Sequence, residues 1–533
     1  LVAGTYIEKI AVAAATKAVD SASFAAFNPT VELDLILLGL LSKIIYKLSP
    51  IYRRMNILLV CPRCGNRQTD TGRIIPRCKC GTPFLINNYI EKYGSELVKA
   101  FSSRPRGVWR YLELLPSLKA TPISIGEGGT FLHHSEGLGR QIGLRKLYIK
   151  NEATNPTGAF TDRGASIELT RSVEIGIQKI LCVASGNLAV SIAGYSAKAG
   201  IPCSIYLKQG VEQVKLLQAL AYDAEVFLTR DPSLTIKLLL EDSKDYHLVT
   251  SLNPLLIEGY KTCMLEILEQ FDWSPPDWIS IPIGTGSHLT ACWKALKEVE
   301  RAGLLKDSLP KIVGSQISSC APIAEAYKKN KDYVEPIQVD RIIFPDIAEP
   351  NPSWAYTALK AVRELGGAIL TVDEEQLINA IKILAKNEGI LAEPAAAVAL
   401  AGLIDAVNSG IIKRDESVVY IVTGSGMKDP TIIQSFAEKK NSIDLGKEKQ
   451  IGFTKKKILE LLIEKPLHGY MIQKELALRY GIKVSLPTIY EHLRDLQMIG
   501  LIQQSFSSRE KTKKPRKEYH VTEMGIEIYR KLS

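Results

Sequence analysis

The sequence predicts an α/β protein with mostly parallel sheet, preceded by a small cysteine-bearing lobe and followed by a short, mainly helical module. Three observations carry this. From about Lys119 to Lys439, short β-rich runs alternate with longer amphipathic ones. Four of the nine cysteines crowd between Cys61 and Cys80. After Lys439 the pattern changes to three short helices and a strand pair.

Length and composition set the outer limits. The 533 residues, 46% hydrophobic and 23% charged, are ordinary for a globular protein of two to four domains with large cores. The net charge of +10 is uneven: Asn441 to Ser533 holds 18 Lys+Arg against 11 Asp+Glu, an excess of +7. A basic end of this kind suits a nucleic-acid-binding module. The longest apolar run, Leu35 to Tyr46, is broken by Lys43 and falls short of the roughly 20 residues a membrane span needs, so no membrane partner is expected. The chain opens on Leu1, with Met55 just before the cysteine cluster. Residues 1–54 are therefore expected to be an over-extended start or a poorly ordered arm, the alternative being an amphipathic helix from about Glu32 to Tyr52.

In chain order, the segment 55–95 comes first. Cys61-Pro62-Arg63-Cys64-Gly65 and Cys78-Lys79-Cys80-Gly81 form two knuckles around a polar stretch, the signature of a zinc ribbon. Four thiolates offer soft tetrahedral ligation and leave no open position, so a structural zinc on Cys61, Cys64, Cys78 and Cys80 is expected rather than a catalytic one. The second knuckle has one intervening residue rather than two, which leaves reduced, metal-free cysteines as the alternative. Cys182, Cys203, Cys263, Cys292 and Cys320 stand in apolar stretches and read as small buried hydrophobes. The odd count and the clustering point to a reducing compartment, the cytoplasm.

Within 96–440 the expected strands are Lys146–Lys150, Ile180–Val183, Ser204–Leu207, Trp278–Ile281, Ile312–Gly314 and Val418–Val422. Each precedes a polar or glycine turn and then an amphipathic stretch, so ligands belong at the strand carboxyl ends. There the Gly/Ser/Asn-rich segments fall. Gly284 and Gly286 let successive amides converge on an anion, and Thr285, Ser287 and Thr423 offer neutral hydrogen bonds. The same glycines would also serve plain tight turns. After a charged linker at 441–450, the segment 451–533 reads as helices Phe453–Ile463 and Gly469–Tyr480, a third capped by Ser485, a strand pair within Leu501–Val521, and a helix over Thr522–Leu532. That order is the winged form of the helix-turn-helix.

Asn155-Pro156-Thr157-Gly158-Ala159-Phe160-Thr161-Asp162-Arg163-Gly164 resembles the NPTGSFKDRG motif of threonine synthase, with Thr161 where the cofactor-binding lysine stands. The resemblance extends over about residues 57 to 435. Gly126-Glu127-Gly128-Gly129-Thr130 is similar to GEGGT, and Ala184-Ser185-Gly186-Asn187-Leu188 to the SSGNA turn. Gly284-Thr285-Gly286-Ser287-His288 is similar to the phosphate-cradling loop. Asn253-Pro254 with Glu258-Gly259-Tyr260-Lys261-Thr262, Glu393-Pro394-Ala395, and Thr423-Gly424-Ser425-Gly426-Met427-Lys428-Asp429-Pro430 complete it. The resemblance implies a fold type II, pyridoxal-phosphate-dependent architecture of two subdomains. It also implies ligand contacts at Asn155, Thr157, Ser185, Gly186, Asn187, Gly284, Thr285, Gly286, Ser287, His288 and Thr423, with Asn187 at the cofactor's ring hydroxyl and Thr423 at its ring nitrogen. A threonine hydroxyl cannot bind the cofactor's aldehyde as a lysine amine does, nor move protons at the substrate carbon. No catalytic residue is therefore assigned, and pyridoxal phosphate is expected, if bound, without a covalent link. Lys150, Lys261 and Lys428 fall where the family already has lysines or similar residues and read as structural.

Leu467-His468-Gly469-Tyr470, Pro487-Thr488-Ile489-Tyr490 and Pro515-Arg516-Lys517-Glu518-Tyr519-His520-Val521-Thr522 resemble segments of PadR-like transcriptional regulators, over about residues 451 to 533. That implies double-stranded DNA as partner and a homodimer. Ser485, Thr488, Tyr490 and Arg494 would face the major groove, and Arg509, Lys511, Lys513, Lys514, Arg516 and Lys517 on the wing would reach phosphates. A solvated wing on a protein-interaction module is the alternative. His468 reads as a helix-start residue rather than a metal ligand. The combined expectation is a ligand-sensing transcriptional regulator whose sensor takes a small or phosphorylated amino acid. The alternative is a working threonine synthase or related lyase acting on O-phosphohomoserine.

Overall fold

The computed structural model describes residues 57–69, 77–88, 90, 93–116, 118–184, 186–208, 213–229, 232–242, 246–339, 344, 346–429, 452–507 and 516–532. The expectations for residues 1–54 and for the linker 441–450 lie outside them. The chain divides into two units, Leu1–Pro430 and Thr431–Ser533.

The first unit begins with a three-stranded antiparallel sheet in which β1 (Leu58–Val60) lies between β2 (Arg67–Thr69) and β3 (Leu85–Ile86). Helix α1 (Ser95–Ser102) follows, then β4 (Leu132–His134), α2 (Glu136–Ile142), β5 (Lys146–Asn151) and α3 (Thr161–Glu174). The chain next makes four parallel strands, β6 (Lys179–Val183), β7 (Cys203–Lys208), β8 (Glu225–Thr229) and β9 (Tyr246–Val249), in the order β8-β7-β6-β9. Helices α4 (Gly186–Ala199), α5 (Gln213–Ala221) and α6 (Pro232–Asp242) connect them. Long α7 (Pro254–Gln270) leads to β10 (Trp278–Pro282), α8 (Ser287–Arg301), β11 (Lys311–Ile317), α9 (Pro322–Lys328), α10 (Ala355–Glu364), β12 (Ala368–Val372), α11 (Glu374–Glu388), α12 (Pro394–Asn408) and β13 (Ser417–Val422). The second large sheet runs β12-β11-β10-β13-β5-β4, parallel except for β4.

Sequence chemistry explains these elements. All five residues of β10 are buried, as a strand covered on both faces by helices requires. Asp373 and Gln376 form a reciprocal capping box at the start of α11, and prolines occupy the first turns of α7 and α12. Helix α7 is buried along almost its whole length and packs on α3 and α8. Gly259 permits the contact with α3: a Cβ there would fall 2.0 Å from the Arg163 carbonyl oxygen. The five scattered cysteines are buried and free, as their apolar surroundings predict.

The second unit comprises α13 (Phe453–Glu464), α14 (Gly469–Tyr480), α15 (Leu486–Met498), the antiparallel pair β14 (Ile502–Ser507) and β15 (Arg516–Val521), and α16 (Glu523–Leu532). Ile458, Leu461, Leu462, Ile472, Leu476, Ile489, Leu493 and Leu496 form its core. Leu467 bridges Tyr519 and adds a third short strand position to the pair, completing a winged helix. Ser485 caps α15 as expected, and His468 caps α14 by accepting from the Met471 amide at 3.3 Å.

Candidate functional site

The four cysteines of the first lobe converge, with their sulfur atoms all within 4.8 Å of one another. Cys61 and Cys80 sulfurs are 3.4 Å apart, and those of Cys64 and Cys78 3.5 Å. A tetrahedron with metal–sulfur bonds of about 2.3 Å has edges of about 3.8 Å, so the cluster could hold a metal. Burial pushes the Cys61 thiol up to about 12. At Cys80, hydrogen bonding from Thr82 overcomes burial and brings the thiol down to about 6. The first knuckle lies against α10: Lys360 donates to the Pro62 carbonyl, and Arg63 stacks over Tyr356.

The carboxyl ends of the parallel strands bring the glycine-rich segments together. Thr161 opens α3, and its hydroxyl lies 2.8 Å from that of Ser191 on α4. Thr157 donates from both its amide and its hydroxyl to the Asp162 carboxylate, each at 2.6 Å, and its hydroxyl is 3.2 Å from Ser191. Burial raises the Asp162 carboxyl. Lys428 Nζ donates to the Thr157 carbonyl at 2.8 Å, and burial, opposed by Glu393 and Asp162, lowers this amine to about 8. The Asn187 amide donates to Glu393 at 2.7 Å, and Thr423 approaches the same carboxylate at 3.5 Å. Ser185 lies outside the described residues.

At the start of α8, Gly286 has φ 85°, a left-handed conformation that favours glycine, and no side chain caps the helix. Thr285 and Ser287 hydroxyls bond each other at 2.9 Å. The Ser287 amide also donates to the Thr285 hydroxyl, at 3.3 Å, so the turn engages its first amide internally at the positive end of a 15-residue helix. His288 stacks on Phe160 with ring centroids 4.2 Å apart, neither ring nitrogen has a partner, and burial lowers the imidazole to about 4. Asn155 is engaged within the chain, accepting from the Gly128 amide and donating to Glu152.

Behind this wall lies a buried ionic network. Arg163 contacts Glu152 at 2.6 Å and Glu266 at 2.8 Å, and Lys150 reaches Glu266 at 2.8 Å. Burial alone would raise Glu152, yet Arg163 outweighs it and brings that carboxyl down to about 2. Lys261 similarly lies between Glu258 and Glu298. Lys150 and Lys261 are thus structural, as their sequence positions suggest.

In the second unit, Pro487, Tyr490, Glu491, Arg494 and Gln497 are exposed along one face of α15. Thr488 is half-buried, its hydroxyl 2.8 Å from that of Ser485, and the Tyr490 ring lies over Gly469. Lys517 on β15 is exposed. Arg509, Lys511, Lys513 and Lys514 lie outside the described residues, as does the Arg516 side chain.

Residues 123–424 match the family model of the pyridoxal-phosphate dependent enzymes. The threonine synthase of Methanocaldococcus jannaschii is 39% identical over 376 residues, 69% of this chain and 92% of its own. The chain belongs to the pyridoxal-phosphate dependent enzyme family. A second relative of that family, the threonine synthase of Methanosarcina acetivorans, is 37% identical over 391 residues, 72% of this chain and 96% of its own. The fold agrees with a solved fungal L-serine ammonia-lyase from Rhizomucor miehei, with a TM-score of 0.52 at 15% identity, covering 60% of this chain and 99% of that one. Residues 458–531 match the PadR-like family of transcriptional regulators, so the chain joins a threonine synthase-like domain to a PadR-like winged helix. Among the described residues, no helix is long and apolar enough to cross a membrane.

The residues present fit the family's cofactor in part. Asn187 Oδ1 and both His288 nitrogens are buried polar atoms without a protein partner, and the Gly284–Ser287 turn suits a phosphate. Thr161 carries no amine to tether an aldehyde. Sequence reasoning gave no site role to Ser191, Glu393, Lys215 or Asp346, although Glu393 lies within a motif it quoted. Glu393 stands before the proline that opens α12, which was a usable signal. Lys215 sits on an amphipathic helix and gave none.

Proposed function

We propose that this chain is a ligand-sensing transcriptional regulator of the cytoplasm. In this reading, segments 55–95 and 96–440 form a zinc-bearing sensor, 441–450 a linker, and 451–533 the DNA-binding module of a homodimer. The observation that carries it is the hydroxyl pair of Thr161 and Ser191, at a position to which the resemblance assigns an amine, within a chain that carries a PadR-like winged helix. Zinc would be structural, on Cys61, Cys64, Cys78 and Cys80. Thr157, Gly186, Asn187, Thr423 and the Gly284–His288 turn, with Ser185 as the resemblance implies, would take a small amino acid, a phosphorylated precursor or pyridoxal phosphate without covalent attachment. When bound, that cofactor would supply an electron-accepting ring. Here Asn187 would orient it and the α8 start would hold its phosphate. Ser485, Thr488, Tyr490 and Arg494 would lie against the major groove, with the wing's Arg509, Lys511, Lys513, Lys514, Arg516 and Lys517 on phosphates.

A ligand regulates only if it binds the DNA-competent and incompetent states differently. The test is binding of the full chain to its own promoter fragment at fixed salt, with and without threonine, O-phosphohomoserine and pyridoxal phosphate. Sequence-specific binding that one ligand shifts is expected; absence of specific binding sinks the reading.

Lys428 favours a second reading, a threonine synthase or related lyase acting on O-phosphohomoserine. Its buried amine, lowered to about 8, donates to Thr157, whose hydroxyl, like that of Thr161, meets Ser191. Phosphate release from O-phosphohomoserine that depends on pyridoxal phosphate would support this reading.

A further inference from the structure

The residues Asp346 and Ile347 lie against both glycine turns of the pocket. A Cβ placed on Gly186 would fall 2.6 Å from Asp346 Oδ1, and one placed on Gly284 would fall 3.7 Å from Ile347 Cδ1. The other oxygen of Asp346 is ion-paired with Lys215 Nζ, and Lys215 is only 1% exposed. A carboxylate of the chain itself is therefore seated between a buried ammonium and the first residue of the 14-residue helix α4. The helix dipole makes that end favourable for negative charge. Lys428 is close enough to Lys215 to feel its charge, so two buried cations serve the same region. A buried ammonium needs a counter-charge, and Asp346 supplies it from within.

We propose that Asp346 is a built-in competitor for the ligand. The pocket takes an anionic group, a carboxylate or a phosphate ester, between Lys215 and the start of α4, and Asp346 sets the affinity by holding that place until the ligand displaces it. This rests on the reading that the pocket binds a ligand, and it adds the ligand's charge and the residue that tunes its threshold. Apparent affinity scales with the fraction of molecules whose site is open, so removing the internal anion raises it.

The experiment is calorimetric titration of the full chain, without DNA, with inorganic phosphate and separately with acetate. Wild type is compared with Asp346→Asn, Asp346→Ala and the double variant Asp346→Asn/Lys215→Met, each checked for folding by circular dichroism. Both single variants are expected to bind at least about tenfold tighter than wild type, and the double variant to lose that gain. A larger gain with phosphate identifies a phosphate ester as the natural anion; a larger gain with acetate identifies a carboxylate. Folded single variants that bind neither anion more tightly overturn the proposal, as does a gain that survives loss of Lys215. Since no DNA is present, failure of the regulatory reading leaves this result standing. A promoter that responds to ligand without any tightening at Asp346 sinks this inference alone.

Discussion

The hydroxyls of Thr161 and Ser191 lie 2.8 Å apart, tying the first residue of α3 to the interior of α4. Replacing Thr161 with lysine places an amine at the start of α3, beside Ser191. Thr161→Lys incubated with pyridoxal phosphate is expected to form a covalent adduct trapped by borohydride at residue 161, with visible absorbance absent from the wild type. Peptide mapping of the reduced protein checks the position.

Arg163 is wholly buried and neutralised by Glu152 and Glu266, so its removal takes the ion-pair partner from Glu152 and leaves Glu266 with Lys150 alone. Arg163→Met is expected to destabilise the first unit by about 3–5 kcal/mol. Chemical denaturation followed through that unit's transition measures it.

Glu152 adds a pH dependence of definite sign. Its folded pKa, about 2, lies below the ordinary 4.5, so the folded state holds its proton less tightly than the unfolded chain. The associated stabilisation is fully present above about pH 4.5 and is lost as pH falls toward 2, an effect of about 3 kcal/mol. Glu152→Gln should flatten the stability profile in that window, as read by thermal melts from pH 5 to 2.

Much of this architecture was legible in the sequence, and the exceptions share a cause. The six strands expected from apolar runs are all present, and all are internal to the two large sheets. The four strands of those two sheets that were missed, β4, β8, β9 and β12, are their edges. Edge strands such as β8, with residues such as Phe227 and Leu228 left exposed, need no continuous buried run. At the proposed ligand contacts, glycine turns announced themselves because Gly186 and Gly286 adopt left-handed backbone conformations that favour glycine. Lys215 and Asp346 did not, since their pairing depends on tertiary closure between distant segments.

The cysteine cluster yields a stability prediction of its own. With zinc bound, chelation or Cys64→Ser is expected to lower the melting temperature of the first unit and leave the transition of the winged helix unchanged. Scanning calorimetry with parallel metal analysis, reading about one zinc per chain before chelation, checks this.

Under the proposed DNA-binding reading, Arg494 and Lys517 would make two different kinds of contact. Arg494→Ala on the exposed face of α15 should weaken specific binding by about 1–3 kcal/mol. Lys517→Ala should weaken binding to all sequences and reduce the salt slope by about 1. Anisotropy titrations at several salt concentrations distinguish them.

Strand β13 lies inside its sheet, with Trp278↔Val418 pairing on one side and Ser417↔Lys146 on the other. It is also the last strand of that sheet to leave the ribosome. Until residue 422 emerges, β4 and β5 have no hydrogen-bonded link to β10, β11 and β12, and the sheet exists as two pieces with open inner edges. The nascent chain therefore carries its aggregation-prone interval late in synthesis, and a stop codon anywhere before β13 releases a polypeptide that cannot close its central sheet.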